Sequence, residues 1–209
     1  MDKIKILVAD DHTLIRQAWK LIINADKRLK VILESGNCEA TIRLAKEHEP
    51  DIILMDINMP GIGGIEATRL ITNSTPTTKI IGVSSHVQPA FAKQIMKMGA
   101  LGYVTKSSTK EELIDAILTV HNNGKYICEE MKNNIADEIF DDSKQIINSL
   151  TYSEIELINL LKQGYTAKDI AKQLSISESG VEARRARLMQ KLKVKNKVAL
   201  LHLINHNSI

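Results

Sequence analysis

Carboxylate, hydroxyl and ammonium side chains follow four of the five strand-like runs of this sequence. Asp10 and Asp11 follow the first run, Asp56 the third, Ser84 the fourth and Lys106 the fifth. In an open α/β sheet, ligands bind beyond the carboxyl ends of the strands, near the point where the strand order reverses. We therefore expect these side chains to meet in one crevice.

The combination suits phosphoryl transfer to a carboxylate. Clustered carboxylates bind a hard divalent cation such as Mg²⁺ through oxygen ligands, and the cation offsets the charge of an incoming phosphate. Asp56 would be the nucleophile, while the Lys106 ammonium and the Ser84 hydroxyl would bind phosphoryl oxygens. Each residue alone is explained as well by aspartates that favour helix N-termini and by a surface lysine. Four suitable strand ends out of five favour the crevice.

The elements that would position these residues are short β-rich runs alternating with helix-length amphipathic segments. Because parallel strands are joined by right-handed crossovers, five βα units predict a doubly wound, five-stranded parallel sheet with helices on both faces. The predicted strands are Lys3–Ala9, Val31–Glu34, Ile52–Met55, Lys79–Val83 and Leu101–Val104.

The pattern changes after Val120. His121-Asn-Asn-Gly124 indicates the end of a helix, and the residues from 125 to 147 hold one short amphipathic stretch around Ile135–Phe140. We interpret this segment as a linker between two domains.

The sequence from residue 150 onward is helical throughout. Thr151-Tyr-Ser-Glu154 and Thr166-Ala-Lys-Asp169 both match the capping box, so a helix is predicted to begin at each. A third helix is predicted after Ser177 and runs to about Leu192, and a fourth covers about Lys197–Asn205. The short turn before Ser177 is typical of a helix-turn-helix, although a plain helical interaction domain remains an alternative.

The third of these helices combines an apolar stripe with a small, polar face. The stripe consists of Val181, Leu188 and Leu192. Such a polar face fits a DNA major groove, with alanines near thymine methyl groups and polar side chains near base edges or phosphates. The residues of this face are Ala183, Ala186, Arg187 and Gln190, with Glu182 at its edge.

Three further basic residues of this helix are candidate DNA contacts. Arg184 and Arg185 flank the apolar stripe, where their stems would lie along it with the charged heads toward phosphates or solvent. Lys191 is a candidate phosphate contact beside Arg187. From Gln145 to the end there are ten Lys and Arg against five Asp and Glu, a net charge of +5, whereas residues 1–144 carry −2. A basic segment favours a polyanionic partner, although solvated helix faces give similar counts.

Three stretches resemble the receiver domain of two-component response regulators, over about residues 1–122. They are Asp10-Asp-His12, the run from Met55-Asp56 to Thr68, and Gly102-Tyr-Val-Thr-Lys106. The resemblance implies a flavodoxin-like fold in which Asp56 accepts a phosphoryl group from a histidine kinase. It also implies that Asp11, Asp56 and the backbone carbonyl of Asn58 hold Mg²⁺, with Asp10 assisting.

The same resemblance assigns roles to residues around Ser84. Ser84 and Tyr103 would form a switch pair, and His86 corresponds to a position that tunes the lifetime of the phosphoryl group. The alternative for His86 is a solvated loop residue. Ser107 departs from the family, where many receivers have proline after the lysine, but this change leaves Lys106 itself in place.

Residues 150–206 resemble the DNA-binding domain of the NarL/FixJ group, also called the LuxR-type helix-turn-helix, and the GacA/UvrY subgroup is the most similar. Gly180 replaces the usual threonine, which weakens the start of the helix by up to about 1 kcal/mol. Glu182 replaces a common lysine or asparagine and puts the DNA sequence preference in question. In the family the last helix pairs two domains. Val198, Leu201 and Ile204 are therefore candidate dimer contacts, unless they only close the core.

These observations predict a receiver domain over residues 1–122, a linker over 123–147 and a helix-turn-helix DNA-binding domain over 148–209. The chain would be a phospho-acceptor with at most self-phosphorylation and autodephosphorylation activity rather than an enzyme, and would bind promoter DNA as a homodimer when phosphorylated. The alternatives are a Mg²⁺-dependent phosphatase-like enzyme and a signalling module whose helical domain binds protein.

Composition sets the expected location and excludes some kinds of site. No apolar run approaches the roughly 20 residues that cross a bilayer, and the N-terminal run lacks the pattern of a signal peptide, so we expect a cytoplasmic protein without membrane contact. Cys38 and Cys128 have no metal-type spacing and are expected to be inert thiols.

Overall fold

The structure is a computed structural model that describes residues 2–140, 150–192, 194, 196, 199 and 200. The chain divides into two compact units, Met1–Ile135 and Ala136–Ile209. Each unit has its own buried core.

The first unit alternates strands and helices along the chain. Its elements are β1 (Ile4–Ala9), α1 (Thr13–Asn24), β2 (Leu29–Ser35), α2 (Cys38–His48), β3 (Ile52–Asp56), α3 (Gly63–Ser74), β4 (Lys79–Ser84), α4 (Pro89–Lys97), β5 (Gly102–Thr105), α5 (Lys110–His121), β6 (Tyr126–Ile127) and α6 (Glu129–Phe140), the last of which continues into the second unit. All five predicted strands are confirmed.

The strands form one parallel sheet in the order β2-β1-β3-β4-β5-β6. The order reverses between β1 and β3, so the carboxyl ends of these two strands flank the switch point where α/β folds bind ligands. The doubly wound sheet is confirmed, with β6 as a sixth strand at its edge. A strand of two residues is too short to show the alternating pattern by which strands are recognised in a sequence.

The central strand β3 is buried along its whole length. A strand that is covered by helices on both faces is apolar throughout instead of alternating, which explains the run Ile52-Ile-Leu-Met55. The strand ends at Asp56, whose exposed fraction is 1%. The end of this buried strand therefore places a buried carboxylate at the switch point.

The start of α3 lies directly against the end of β3. Gly63 has a φ of +77°, a conformation that favours glycine. A Cβ added at the next residue, Gly64, would lie 1.9 Å from the carbonyl oxygen of Asp56. The backbone of Asp56 is thus fixed by a contact that only a glycine allows.

The second unit contains α7 (Tyr152–Lys162), α8 (Ala167–Gln173) and α9 (Glu178–Lys191). Both predicted capping boxes are present: the Thr151 hydroxyl accepts from the backbone N–H of Glu154, and the Thr166 hydroxyl accepts from that of Asp169. Ser177 caps α9 by accepting from the backbone N–H of Gly180 at 3.1 Å. Residues 199 and 200 are helical, and the rest of the fourth predicted helix lies outside the described residues.

The range interpreted as a linker, residues 123–147, contains β6 and α6, and its residues 141–149 lie outside the described part of the chain. The predicted amphipathic stretch around Ile135–Phe140 is the second half of α6, which begins earlier, at Glu129. The domain boundaries themselves stay a prediction.

Two expectations from composition can be compared with the structure. Among the residues that the structure describes, no helix combines the length and the apolar character that a membrane crossing requires. Cys38 and Cys128 are both buried, and burial raises the pKa of the Cys38 thiol to about 11. A thiol with a raised pKa is a poor nucleophile, so Cys38 fits the expected inert role.

We expect Gly64→Ala to destabilise the protein by about 3 kcal/mol, because the added methyl group overlaps the Asp56 carbonyl and the packed backbone has nowhere to move. Gly36→Ala is the control. There the nearest atom, 3.3 Å from the added Cβ, is Nη1 at the end of the Arg16 side chain, which has to shift by only a few tenths of an ångström. Urea unfolding of both variants measures the difference, and equal stabilities would contradict the proposed contact.

Candidate functional site

The carboxyl ends of β1 and β3 form a buried acidic crevice. Ala9 of β1 pairs with Met55 of β3, so the residues that follow, Asp10 and Asp56, lie side by side. Their exposed fractions are 2% and 1%. Two ionised carboxylates in such a place require a compensating cation.

Lys106 supplies that positive charge from the end of β5. Its Nζ lies 2.7 Å from Oδ2 of Asp10 and 2.8 Å from Oδ2 of Asp56. Burial works against the charged form of Lys106, but the two carboxylates outweigh it and raise the pKa of the ammonium above its usual value. The backbone N–H of Lys106 donates to the carbonyl of Ser84 at 2.7 Å, which ties this residue to the end of β4.

Asp56 also accepts a hydrogen bond from the backbone N–H of Asn58, at 3.0 Å from Oδ1. Burial raises the pKa of Asp56 above its usual value, and the hydrogen bonds from Lys106 and Asn58 oppose this rise. Asp56 is therefore an oriented carboxylate with both oxygens engaged, one of them by the ammonium.

The crevice could hold a metal ion. Asp10, Asp11, His12 and Asp56 each have one ligand atom within 4.8 Å of those of the others. Three of the four donors are carboxylate oxygens, the ligands that hard cations prefer. His12 was not predicted as a member of this cluster; its Nδ1 lies 2.7 Å from Oδ1 of Asp11. Its position directly after the two aspartates was the signal that could have identified it.

Ser84 and Tyr103 both contact the backbone of His86. The Ser84 hydroxyl, fully buried, accepts from the backbone N–H of His86 at 2.9 Å. The Tyr103 hydroxyl donates to the His86 carbonyl at 2.6 Å, and burial raises the pKa of Tyr103. The loop after β4 is thus held at one residue by both predicted switch side chains.

The His86 ring is stacked on Phe91, with ring centroids 4.4 Å apart. The side chain is half-buried, and burial lowers its pKa, which favours the neutral ring near pH 7. The His86 side chain is therefore partly packed rather than fully solvated. The role in tuning the phosphoryl lifetime stays a prediction.

Two contacts at the rim of the crevice were not predicted from the sequence. Arg16 of α1 donates to the backbone carbonyl of Asp10 at 2.6 Å. Glu130 of α6 accepts from the hydroxyls of Thr105 and Ser107, at 2.8 and 2.9 Å, on either side of Lys106. The contact with Thr105 joins residues 25 apart in the chain, so no local pattern indicates it.

In the second unit, the predicted division of α9 into two faces agrees with its burial. Val181, Leu188 and Leu192 are buried. The residues of the predicted polar face are all exposed: Glu182, Ala183, Ala186, Arg187 and Gln190. This face of the helix is therefore available for a ligand within its own unit.

Two of the basic residues of α9 have partners within the unit. Arg185 forms an ion pair with Glu182, and Lys191 donates to Oε2 of Glu154 at 2.8 Å. Burial alone would raise the pKa of Glu154, but hydrogen bonds from Lys191 and Thr151 outweigh it and lower the pKa. Arg184 is half-buried. The predicted dimer contacts Val198, Leu201 and Ile204 lie outside the described residues.

Comparison with known proteins covers both units. Residues 6–118 match the response regulator receiver domain, and residues 148–204 match the bacterial regulatory proteins of the luxR family. The oxygen regulatory protein NreC of Staphylococcus carnosus is 32% identical over 205 residues, which cover 94% of this chain and 94% of NreC. The response regulator UvrY of Escherichia coli K12 is 32% identical over 202 residues, which cover 96% of this chain and 93% of UvrY.

Among solved structures, RcsB from Salmonella enterica serovar Typhimurium, bound to the promoter rprA in the presence of the phosphomimetic BeF3⁻, matches with a TM-score of 0.75. It is 22% identical, and the match covers 96% of this chain and 98% of that one, which shows a common fold. The parallel receiver sheet, the helix-turn-helix unit and two relatives of nearly equal length all agree. The chain therefore belongs to the two-component response regulators of the NarL/FixJ group and is a phosphorylation-regulated transcription regulator.

Proposed function

We propose that Asp56 is the phosphoryl acceptor of this response regulator and that a histidine kinase is the donor in the cell. The observation that carries the proposal is the Lys106 ammonium, held between the Asp10 and Asp56 carboxylates at the switch point of the sheet. A carboxylate oxygen of Asp56 attacks phosphorus, the bond from phosphorus to the donor histidine nitrogen breaks, and an acyl phosphate forms.

The other residues of the crevice stabilise the charge that is brought in. The Lys106 ammonium lies where it can bind a phosphoryl oxygen, and the Ser84 hydroxyl can donate to another once the group is attached. Asp10, Asp11, Asp56 and the backbone carbonyl of Asn58 would hold Mg²⁺, which when bound supplies positive charge to the phosphoryl oxygens. The cluster of carboxylate oxygens fits this hard cation.

The same site would also react with small phosphoryl donors and with water. Acetyl phosphate can replace the kinase, since the attacking carboxylate and the Lys106 ammonium belong to this chain, and water can later hydrolyse the acyl phosphate. We assign self-phosphorylation and autodephosphorylation to the site and no further enzymatic activity. The match of both domains to one family of regulators favours this over a phosphatase-like enzyme or a protein-binding signalling module.

DNA binding is assigned to the exposed polar face of α9, in the domain that we place at residues 148–209, after a receiver at 1–122 and a linker at 123–147. A helix-turn-helix places its second helix in the major groove. Arg187 and Gln190 are the polar side chains of this face with the reach for phosphates and base edges. Since chromosomal DNA is the target, the protein would work in the cytoplasm.

Phosphorylation would act by shifting a population. The phosphoryl group draws in Lys106 and Ser84 and moves the loops after β4 and β5, which favours a homodimer paired through Val198, Leu201 and Ile204. To shift the ratio of active to inactive conformation from 1:99 to 99:1, the phosphoryl group must favour the active conformation by about 5.5 kcal/mol. A smaller difference in free energy gives graded activation. We propose the graded case.

We expect Asp56→Asn to abolish phosphorylation by acetyl phosphate and Mg²⁺, because the amide is not a nucleophile. Intact-mass spectrometry should show one added phosphoryl group on the unmutated protein and none on the variant. Asp51→Asn is the control at the opposite end of β3, where the side chain only accepts from the backbone N–H of Lys5 at 2.7 Å. Phosphorylation of Asp56→Asn equal to that of the control would show that the nucleophile is misassigned.

DNA affinity should fall steeply with salt, and Arg187→Ala should reduce the slope of log affinity against log salt by about 1 because one phosphate contact is lost. Arg43→Ala removes the same charge from an exposed side chain of α2 and should leave the slope unchanged. Fluorescence anisotropy with a labelled promoter fragment measures both. An unchanged slope and affinity for Arg187→Ala would argue against this docking of α9.

Phosphorylation should increase both DNA affinity and the dimer fraction of the full-length protein, since one population shift governs both. A fragment from about Lys144 to Ile209 should bind DNA without phosphorylation. Anisotropy and analytical ultracentrifugation measure the two effects. If phosphorylation changes neither affinity nor mass, the receiver does not act as the switch.

A further inference from the structure

We propose that the first half of α6 is part of the support of the phosphorylation site, with Glu130 and Asn134 as positioning residues for the two loops that move. This inference rests on the assignment of Asp56 as the phosphoryl acceptor. Phosphorylation of Asp56 and the contacts of α6 with these two loops would then affect each other.

Glu130 holds the turn that carries Lys106. One carboxylate oxygen, Oε2, accepts from Thr105 Oγ1 at 2.8 Å and from Ser107 Oγ at 2.9 Å. These are the residues immediately before and after Lys106, and Thr105 is buried. A charged acceptor that bonds to both neighbours of a lysine limits where its ammonium can lie.

Asn134 holds the other loop. Its side-chain amide donates to the backbone carbonyl of Val87 at 2.9 Å. Val87 directly follows His86, the residue whose backbone bonds to both Ser84 and Tyr103. Glu130 and Asn134 are four residues apart and share one face of α6, so a single helix face contacts both loops.

The start of α6 is itself attached to β5 and to α5. The backbone N–H of Cys128 donates to the carbonyl of Tyr103 at 3.0 Å, and that of Glu129 donates to Oε1 of Glu112 at 3.0 Å. The side chains of Cys128 and Met131 are fully buried. All of these contacts lie within the first unit, whereas α6 continues to Phe140 in the second.

Coupling follows from these contacts. A phosphoryl group on Asp56 gives Lys106 and Ser84 new partners, and each moves a loop that Glu130 or Asn134 holds. The bonds to α6 must then stretch, break or move with the loops. Coupling free energies are reciprocal, so loss of the bonds to α6 must also change the relative free energies of the phosphorylated and unphosphorylated forms. The rate of phosphorylation depends separately on where Glu130 holds the Lys106 ammonium.

The first test compares Glu130→Ala with Glu129→Ala in the full-length protein. Both variants remove one negative charge from the first turn of α6. Both side chains are exposed, but Glu129 pairs with Lys132 on the surface, whereas Glu130 bonds to the turn that carries Lys106. The probe is acetyl phosphate with Mg²⁺, and the rate of phosphorylation is measured by intact mass over a range of donor concentrations.

We expect Glu130→Ala to lower the saturating rate by about tenfold, the effect of losing hydrogen bonds to a charged group, with the half-saturating concentration changed by less than about twofold. This split arises because Glu130 positions Lys106 and does not touch the donor. Glu129→Ala should match the unmutated protein. Equal saturating rates for the two variants would overturn the inference.

The second test needs no variant, so it holds even if Glu130→Ala folds poorly. Amide hydrogen exchange of residues 130–136 is measured in the unmutated full-length protein before and after phosphorylation. We expect exchange to become about tenfold faster once the bonds to the two loops are disturbed. In the Asn134→Ala variant, the amides of residues 130–136 should already exchange fast without the phosphoryl group.

Unchanged exchange in protein that mass spectrometry shows to be phosphorylated would overturn the coupling and leave Asp56 as the acceptor. Failure of the unmutated protein to gain any phosphoryl group would instead overturn the assignment of Asp56, and the coupling with it.

Discussion

The ion pairs between Lys106 and the two aspartates are the contacts on which the site depends. Asp10 and Asp56 are almost completely buried, and two neighbouring ionised carboxylates without a cation would repel each other at a high desolvation cost. The ammonium at 2.7 and 2.8 Å relieves both problems. It can do so because β1, β3 and β5 end at the same edge of one parallel sheet. The electrostatics of the site therefore depend on the strand order, which brings Lys106 to the two aspartates.

Much of this arrangement could be predicted from the sequence, because the signals are local. A strand that is apolar throughout, such as Ile52-Ile-Leu-Met55, indicates a buried central position in the sheet. The residue after such a strand must lie at its carboxyl end. The capping boxes at Thr151 and Thr166 each involve residues three apart, so they too can be read directly. The faces of α9 follow from its helical period.

The contacts that were missed join residues distant in the chain. Glu130 contacts Thr105, and Lys191 contacts Glu154. Tertiary structure sets the partners of these charged side chains, and a lone charged residue has no periodic pattern that would indicate them. The second pair changes an interpretation, since Lys191, expected to contact DNA phosphates, also stabilises the start of α7. The stacking of His86 on Phe91 also has no local sequence signal, because a loop position does not indicate which side chain packs against it.

The approach of Gly64 to the Asp56 carbonyl has a consequence for how a signal can leave the site. The strand that carries the nucleophile is pinned from behind by the first turn of α3, and a backbone in such tight contact has no room to shift. Asp56 is then the stationary member of the site. A phosphoryl group on Asp56 would then have to be sensed by the side chains that approach it, Lys106 and Ser84, which would place the response in the loops after β4 and β5.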